Sequence, residues 1–253
     1  AWNKSGYSNA LIDQEELNRQ VKVLLDSGVN YFDTSPAYCR GESESRLAEA
    51  LQKSGYDRDS YIIATKLSTF SRSQWSFEKS KEMFFQSLKN LRTTYIDNYL
   101  LHNIGNESFE AFKARFLDNG VLDFLVEQRK NKVIRNLGFS FHGDYKAFQW
   151  CIDNHDKYHW DFALIQMNYV DWKHAEKLNA RNVNAERLYN ELTNRNIPVV
   201  VMEPLLGGRL AKFDYAIAKK MQAFSKDATL ASWAFRFCAS KPNVMCILSG
   251  MTK

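Results

Sequence analysis

Two spacings of hydrophobic residues alternate along the chain. Between residues 15 and 27, Leu17, Val21 and Leu24 recur every three or four positions, which is the spacing of one helix face. Residues 198–202 are apolar without interruption, as expected of a short strand that is buried on both faces. Such strands separated by helices are typical of a parallel sheet covered by helices. We therefore predict an α/β fold.

The same pattern predicts the order of the elements. It predicts helices at residues 15–27, 43–54, 77–91, 109–129, 145–154, 185–194 and 227–239. It predicts strands that begin at residues 29, 61, 95, 133, 162, 197 and 244. Ser43 is the expected N-cap of the second helix. The segment 109–129 is expected to form one helix or two, with a break near Asn119-Gly120.

A closed barrel of alternating strands and helices has eight strands, one more than the pattern predicts. We expect the first strand to precede Ala1, because residues 1–13 have the polar character of a loop and the chain does not begin with Met. An open sheet is the alternative. No linker or repeat divides the chain. The prediction is therefore one domain over residues 1–253, a (β/α)8 TIM barrel whose first strand is missing from this sequence.

Composition narrows the class of protein. Hydrophobic residues make up 45% of the 253 positions and charged residues 25%, as in globular proteins with a full core. The net charge is +5 without a basic run, so no nucleic-acid partner is expected. No apolar stretch approaches the roughly 18–20 residues of a membrane span. The four cysteines are scattered, which favours reduced thiols in a cytoplasmic protein over a disulfide scaffold or a metal site.

Four side chains with acid–base chemistry follow successive predicted strands. Asp33 and Tyr38 come after the strand that begins at residue 29, Lys66 after the next, and His102 after the third. In a parallel barrel the carboxyl ends of the strands share one edge, so these groups are expected to meet. Each alone has an ordinary interpretation, such as a turn cap for Asp33 or a structural histidine for His102. Their joint occurrence favours a proton-transfer site.

Several longer motifs occur in the same order at these strand ends. They are residues 28–34 (GVNYFDT) with Tyr38, 63–66 (IATK), 97–102 (DNYLLH), 134–140 (IRNLGFS), 165–169 (IQMNY) and 247–252 (ILSGMT). On these motifs the chain resembles the aldo/keto reductase superfamily over nearly its whole length. Within it, the resemblance is strongest to a bacterial subgroup that often carries a cysteine-rich, ferredoxin-like extension at its C-terminus. This chain ends at Lys253, before any such segment.

The resemblance assigns roles to the four side chains. It implies that a nicotinamide cofactor delivers hydride to a carbonyl while Tyr38 supplies the proton. Phenols ionise near pH 10, so Lys66 is expected to lower the pKa of Tyr38 by stabilising the phenolate. Asp33 would hold Lys66 charged through an ion pair. His102 would donate to, or orient, the carbonyl oxygen.

The resemblance also implies a cofactor site. Ser140 and Gln166 correspond to the polar pair that holds the nicotinamide carboxamide. The segments implied for the remainder of the cofactor contribute Met202, Pro204, Leu205, Gly207, Gly208, Arg209, Ser249, Gly250, Met251 and Thr252. NADP(H) is the expectation at the level of the family, and NAD(H) remains open.

Three positions depart from the family pattern. Met202 stands where many relatives have an aromatic ring that stacks on nicotinamide, and its sulfur would make a less rigid contact. Glu203 adds negative charge beside the expected diphosphate segment. Phe141 follows Ser140 where relatives have asparagine. Cofactor affinity is the property that these departures affect most directly.

Other residues with notable chemistry carry weaker expectations. His155 and His159 are four residues apart, but the polar residues around them favour a loop over a metal site. Trp75, Tyr169 and Trp172 have two interpretations, lining of a substrate pocket or simple packing.

The main functional prediction is an NADP(H)-dependent reductase that converts an aldehyde, ketone or quinone to an alcohol. The alternatives are a regulatory barrel that binds nucleotide, a redox subunit linked to an iron–sulfur tail, and, more distantly, a phosphate-binding isomerase. The natural substrate and the oligomeric state do not follow from the sequence, because specificity lies in variable loops.

Overall fold

Helices alternate with parallel strands through residues 12–212, 215–225 and 227–250, which are the residues that the computed structural model describes. The elements are α1 Gln14–Asp26, β1 Tyr31–Asp33, α2 Ser43–Lys53, β2 Ile62–Leu67, α3 Phe77–Asn90, β3 Ile96–Ile104, α4 Phe109–Phe116, α5 Val121–Lys130, β4 Ile134–Phe141, α6 Tyr145–Asp153, α7 His155–Tyr158, β5 Phe162–Gln166, α8 Asp171–Leu178, α9 Ala185–Asn194, β6 Val199–Met202, α10 Tyr215–Phe224, α11 Leu230–Ala239 and β7 Val244–Ile247. The predicted α/β alternation is confirmed.

The chain divides into two compact units. Among the described residues, the first unit holds 12–103 and 110–139, and the second holds 104–109 and the described part of 140–250. The single domain expected over residues 1–253 stays a prediction.

Parallel strands in the first unit bring the ends of β1, β2 and β3 to one edge. Asp33 of β1 pairs with Ala64 of β2, and Lys66 of β2 pairs with Leu100 of β3. Nearly every residue of β2 and β3 is buried because both faces of the sheet are covered. On β3, for example, the fully buried Tyr99 ring packs edge-on against Phe84 of α3, with 5.2 Å between ring centroids. This packing fixes the strands, and through them the positions of the side chains at their ends.

The second unit repeats the arrangement with β5, β6 and β7, which are also parallel. Gln166 at the end of β5 pairs with Met202 at the end of β6. The register shifts by one residue between Val199 and Val200 against β7. Two of the residues assigned to the cofactor by resemblance are therefore neighbours across this pair of strands.

Most predicted elements are present, with ends moved by a few residues. All seven predicted strands occur in the described part of the chain, and α9 has the predicted bounds. The segment 109–129 forms two helices, α4 and α5, because Gly120 adopts a left-handed φ of 78° just before α5. Residues 1–11, which include most of the predicted N-terminal loop, lie outside the described residues.

Besides the single turn α7, two helices were missed by the pattern of hydrophobic residues. α8 occupies the charged stretch after residue 170 and buries only Asp171 and Ala175, so it has little apolar periodicity to detect. α10 lies in the segment that the sequence assigned to a loop. In both cases the helical face carries too few buried apolar residues to produce the expected spacing.

Two local predictions were wrong. Glu42, rather than Ser43, occupies the N-cap of α2, and the Ser43 hydroxyl instead hydrogen-bonds to Thr34 Oγ1 over 2.7 Å. The segment from His155 is not a loop but one helical turn, α7, that ends at Tyr158. His159 follows it in a left-handed conformation with φ 49°.

Candidate active site

Four side chains from separate segments of the first unit meet at the common edge of β1, β2 and β3. Asp33 ends β1, Lys66 lies in β2 and His102 lies in β3. Tyr38 begins a short 3-10 turn, Tyr38–Gly41, that follows β1. The Tyr38 and His102 rings are 5.7 Å apart between centroids, and Lys66 Nζ is 4.8 Å from the centroid of Tyr38. The structure thus brings together the four residues that the sequence singled out.

Lys66 is the buried centre of this cluster. Only 1% of its side chain is exposed, and its Nζ donates to Asp33 Oδ1 over 2.5 Å and to the Thr34 carbonyl over 2.8 Å. Burial by itself lowers the pKa of Lys66, but the attraction of Asp33 and Tyr38 outweighs it and raises that pKa. The amine therefore stays protonated at neutral pH and lies against the face of the phenol as a fixed positive charge.

The expected fall in the pKa of Tyr38 is not observed. Burial of the phenol raises its pKa, Lys66 opposes the rise and Asp33 adds to it, so that the balance is upward. The sequence-based expectation was wrong because it counted the neighbouring cation without the cost of burying a phenolate or the nearby carboxylate. In this structure Tyr38 is a protonated donor.

An unusual backbone presents Tyr38 to the cluster. Cys39 and Arg40 have φ values of 51° and 58°, and Gly41 has a φ of 87°, so three consecutive residues are left-handed. Non-glycine residues rarely adopt this region, and such strain persists only where the surrounding structure imposes it. The turn that carries Tyr38 is closed by a hydrogen bond from the Tyr38 amide to the Ser35 carbonyl.

His102 is buried between two aromatic rings and two hydroxyl groups. The Phe70 ring packs against the imidazole in a tilted arrangement, with 4.9 Å between the ring centroids. The Ser68 hydroxyl is 2.6 Å from His102 Nδ1, and the Ser35 hydroxyl is 3.4 Å from the same atom. The imidazole orientation is thus set from several directions.

Sequence reasoning did not identify Ser35, Ser68 and Phe70. Ser35 lies between Asp33 and Tyr38 in the sequence, which was a usable signal. Ser68 and Phe70 follow β2 closely, but nothing in the sequence indicates that they reach a histidine more than 30 residues later. Phe70 is also 41% exposed although it contacts the buried His102, so it offers an apolar surface beside the cluster.

In the second unit, the predicted polar pair lies at the ends of β4 and β5. Ser140 is buried. Gln166 Nε2 donates to Asp171 Oδ2 over 2.8 Å, and Asn168 Nδ2 donates to the same oxygen over 2.5 Å. Because its amide nitrogen is engaged, Gln166 offers its Oε1 as an acceptor. Asp171 Oδ1 is buried and has no hydrogen-bond partner among the described residues, so a ligand or water N–H or O–H would complete this cluster.

The loop after β6 contains a carboxylate that hydrogen-bonds to the backbone of the same loop. Glu203 has a left-handed φ of 55°, and its carboxylate Oε2 accepts from the Gly207 amide over 2.5 Å. Leu206, Gly207 and Gly208 are left-handed as well, with φ values of 49°, 63° and 85°. Glu203, which departs from the family pattern, therefore has a direct structural effect. Its carboxylate already accepts a hydrogen bond from an amide of the proposed diphosphate segment.

The other residues assigned to the cofactor are spread over the second unit. Pro204 is buried, while Arg209 is exposed at the start of a short 3-10 turn. Leu205 and Met202 are half-buried, and Ser249 and Gly250 are exposed. Met251 and Thr252 lie outside the described residues.

The three aromatic residues that were interpreted either as lining of a substrate pocket or as packing residues make contacts with other protein groups. Trp172 packs against Tyr189 and Phe237, with 5.6 Å between centroids in each case, and Tyr169 also contacts Phe237. Trp75 Nε1 donates to the Thr69 carbonyl over 3.0 Å.

The described residues form neither a metal-binding cluster nor a membrane-spanning helix. They contain no group of three or more His, Cys, Asp or Glu side chains arranged to hold a metal ion. No described helix is both long enough and apolar enough to cross a membrane.

Comparison with known proteins gives matches over the whole chain and over parts of it. The sequence model of the Aldo/keto reductase family matches residues 2–253. Aldo-keto reductase YhdN of Bacillus subtilis is 31% identical over a match of 133 residues that covers 46% of this chain and 39% of that protein. The match thus spans well under half the length of this relative.

Solved structures of aldo-keto reductases share the fold. The holo form of the Bacillus halodurans enzyme matches with a TM-score of 0.71 at 21% identity, over 93% of this chain and 76% of that one. The Klebsiella pneumoniae protein in complex with NADP and acetate matches with a TM-score of 0.71 at 19% identity, over 96% of this chain and 77% of that one.

These similarities confirm the fold class as the (β/α)8 barrel of these proteins. Because the family model covers nearly every residue, the chain belongs to the aldo/keto reductase family, whose members are NAD(P)H-dependent oxidoreductases.

Proposed function

We propose that this protein is an NADP(H)-dependent reductase that converts a carbonyl, in an aldehyde, ketone or quinone, to an alcohol. The observation that carries the proposal is the cluster in which a protonated phenol, Tyr38, lies within contact of the Lys66 ammonium and the His102 imidazole. A proton donor beside a fixed cation and a second polar group is what addition of hydride to a carbonyl requires.

The donor set in the second unit fits a nicotinamide cofactor in part. Gln166 Oε1 is an acceptor for the N–H of a carboxamide. Asp171 Oδ1 has no hydrogen-bond partner among the described residues, and it could also accept from a carboxamide N–H. The left-handed glycines of the loop after β6 allow backbone amides to approach a diphosphate. Glu203 fits poorly, because its carboxylate competes for one of those amides. NADP bound to the Klebsiella pneumoniae relative supports the choice of NADP(H).

In the proposed reaction, a nicotinamide cofactor would, when bound, supply a hydride to the carbonyl carbon. Tyr38 gives its hydroxyl proton to the carbonyl oxygen, and Lys66 stabilises the phenolate that remains. Asp33 holds Lys66 charged and in place. His102 donates a hydrogen bond to the oxygen as negative charge develops on it. Phe70 offers an apolar contact for the substrate beside His102.

Nucleotide titration and a substrate panel test the proposal. Quenching of the fluorescence of the six tryptophans by NADPH and by NADH measures binding, and a panel of aldehydes, ketones and quinones measures turnover. We expect saturable binding of NADPH and turnover of at least one carbonyl. Binding without turnover would favour the regulatory barrel. Turnover that requires an iron–sulfur partner would favour the redox subunit, and no binding of either nucleotide would contradict the proposal.

Replacement of Glu203 by glutamine is expected to strengthen cofactor binding. The substitution keeps the side-chain shape but removes a negative charge that contacts the Gly207 amide, so a diphosphate would no longer face a like charge there. We expect the Kd for NADPH to fall roughly tenfold, which corresponds to about 1.4 kcal/mol. Fluorescence titration at constant ionic strength measures the change.

The matched control is Glu176→Gln, which removes one negative charge from an exposed position of α8. It should leave the Kd for NADPH unchanged. Equal effects of the two variants would show that net charge alone is responsible, and weaker binding by Glu203→Gln would contradict the proposed competition.

A further inference from the structure

A row of buried hydroxyl groups ends at the imidazole of His102. The Ala37 amide donates to Ser35 Oγ over 3.1 Å, Ser35 Oγ lies 2.8 Å from Ser68 Oγ, and Ser68 Oγ lies 2.6 Å from His102 Nδ1. The exposed fractions of Ser35, Ser68 and His102 are 0%, 3% and 8%. Bulk water is thus displaced from both hydroxyls, so each proton must be placed on a protein acceptor.

One direction of donation accounts for the whole row. The Ala37 amide can only donate, so Ser35 Oγ accepts from it. Ser35 then donates to Ser68, and Ser68 donates to Nδ1 over a distance within the usual O–H range. Every proton in the row has an acceptor at 3.1 Å or less.

The opposite direction fits the distances less well. If Nδ1 carried the proton, it would donate to Ser68 Oγ over 2.6 Å, which is shorter than the usual range for an N–H donor. Ser68 would then have to donate either to Ser35 or to the Lys66 carbonyl. The first choice leaves the Ser35 proton without an acceptor among the hydrogen bonds of the described residues, and the second is long, at 3.4 Å.

We propose that Ser68, supported by Ser35, holds neutral His102 in the tautomer that carries its proton on Nε2. Ser68 and Ser35 are positioning residues, because they act through His102 and not on the substrate. The imidazole then presents an N–H donor from its other nitrogen. The catalytic consequence, a hydrogen bond to the carbonyl oxygen, rests on the proposed reductase function, whereas the tautomer is a property of the protein alone.

Nitrogen NMR of the histidines tests the tautomer directly. Protein labelled with 15N in its five histidines is compared with His102→Gln, which identifies the His102 signals by their loss. We expect Nδ1 of His102 to show the shift of an unprotonated acceptor and Nε2 that of a protonated nitrogen. In Ser68→Ala the signal of a protonated Nδ1 should appear, and Ser68→Thr, which keeps the hydroxyl, should restore the original pattern.

Kinetics of the same variants test the consequence. Ser68→Ala should lower kcat for carbonyl reduction roughly tenfold, as expected for loss of one oriented hydrogen bond, and leave the Kd for NADPH unchanged. Ser35→Ala should act in the same direction with a smaller effect. Ser45→Ala, which removes an exposed hydroxyl of α2, is the matched control and should change neither measurement.

The outcomes separate this inference from the proposed function. A protonated Nδ1 in the wild-type protein, or tautomer populations that Ser68→Ala does not change, would overturn the inference even if the protein is an active reductase. The expected tautomer in a protein without carbonyl turnover would support the inference and contradict the function. If Ser68→Ala does not fold, the wild-type and Ser35→Ala spectra still decide the direction of the row.

Discussion

Replacement of Tyr38 by phenylalanine is expected to lower kcat for carbonyl reduction by roughly 10²–10⁴-fold. The variant keeps the ring that packs against His102 and Lys66 and loses only the hydroxyl that supplies the proton. Steady-state rates with the best carbonyl of the panel measure the loss. Fluorescence titration should give the same Kd for NADPH as the wild type, since the substitution removes no group assigned to the cofactor.

Tyr56→Phe is the matched control for this variant. Tyr56 is partly exposed, and its hydroxyl donates to Asp26 in an exposed hydrogen bond that involves no residue of the cluster. The control should keep the wild-type kcat. A Tyr38→Phe variant with unchanged turnover would remove Tyr38 from the mechanism.

The pH dependence provides a second measurement on the wild type. Only the protonated phenol can give up a proton, and burial raises the pKa of Tyr38 above the ordinary value of about 10. The rate of reduction should therefore stay level from neutral pH to about pH 10 and fall only at higher pH. A fall that begins near neutral pH would show that another group limits the reaction.

Replacement of Asp33 by alanine is expected to cost about 3–5 kcal/mol of unfolding free energy at pH 7. The variant leaves the Lys66 ammonium buried at 1% exposure without the carboxylate that it contacts over 2.5 Å. Denaturant unfolding followed by fluorescence measures the loss. Turnover should fall as well, because Lys66 would no longer be held charged beside Tyr38.

The loss of stability should depend on pH in a defined direction. In the wild type the pKa of Lys66 is raised, so the ion pair contributes fully while Asp33 is ionised and the pH is below the pKa of an unfolded lysine, about 10.4, and its contribution disappears as pH rises through the higher folded pKa. Without Asp33, burial lowers the pKa of Lys66 and favours the neutral amine. The difference between variant and wild type should therefore be largest near neutral pH and shrink towards pH 10 and above.

An exposed ion pair supplies the control. Asp26 contacts Lys22 at the surface, with about half of each side chain accessible. Asp26→Ala should leave the unfolding free energy nearly unchanged, because solvent screens such pairs. Equal losses from Asp33→Ala and Asp26→Ala would contradict the importance given to burial of Lys66.

The order of chemical groups in the candidate site was predictable from the sequence. Asp33, Lys66 and His102 each follow or end a short apolar run, and parallel strands must present such positions at one edge. The α/β alternation was predictable for a similar reason, since burial on both faces requires continuous apolar strands. The missed helix α8 shows the limit, because a helix that buries few residues leaves no apolar period.

Quantities that depend on burial and on distant contacts were not predictable. The direction of the pKa of Tyr38 depends on the cost of desolvation, which is known only once the cluster is packed. The contact of Ser68 with His102 joins residues 34 positions apart. The carboxylate of Glu203 reaches the Gly207 amide only because four residues of its loop adopt left-handed conformations.

By itself, then, the sequence determined which elements form and which chemical groups end the strands, because periodicity and strand polarity are local properties of the chain. Only the tertiary structure decided how those groups are protonated and what they contact. Desolvation, ion pairing and hydrogen-bond direction depend on the atoms that surround each side chain after folding, and residues distant in sequence supply most of them.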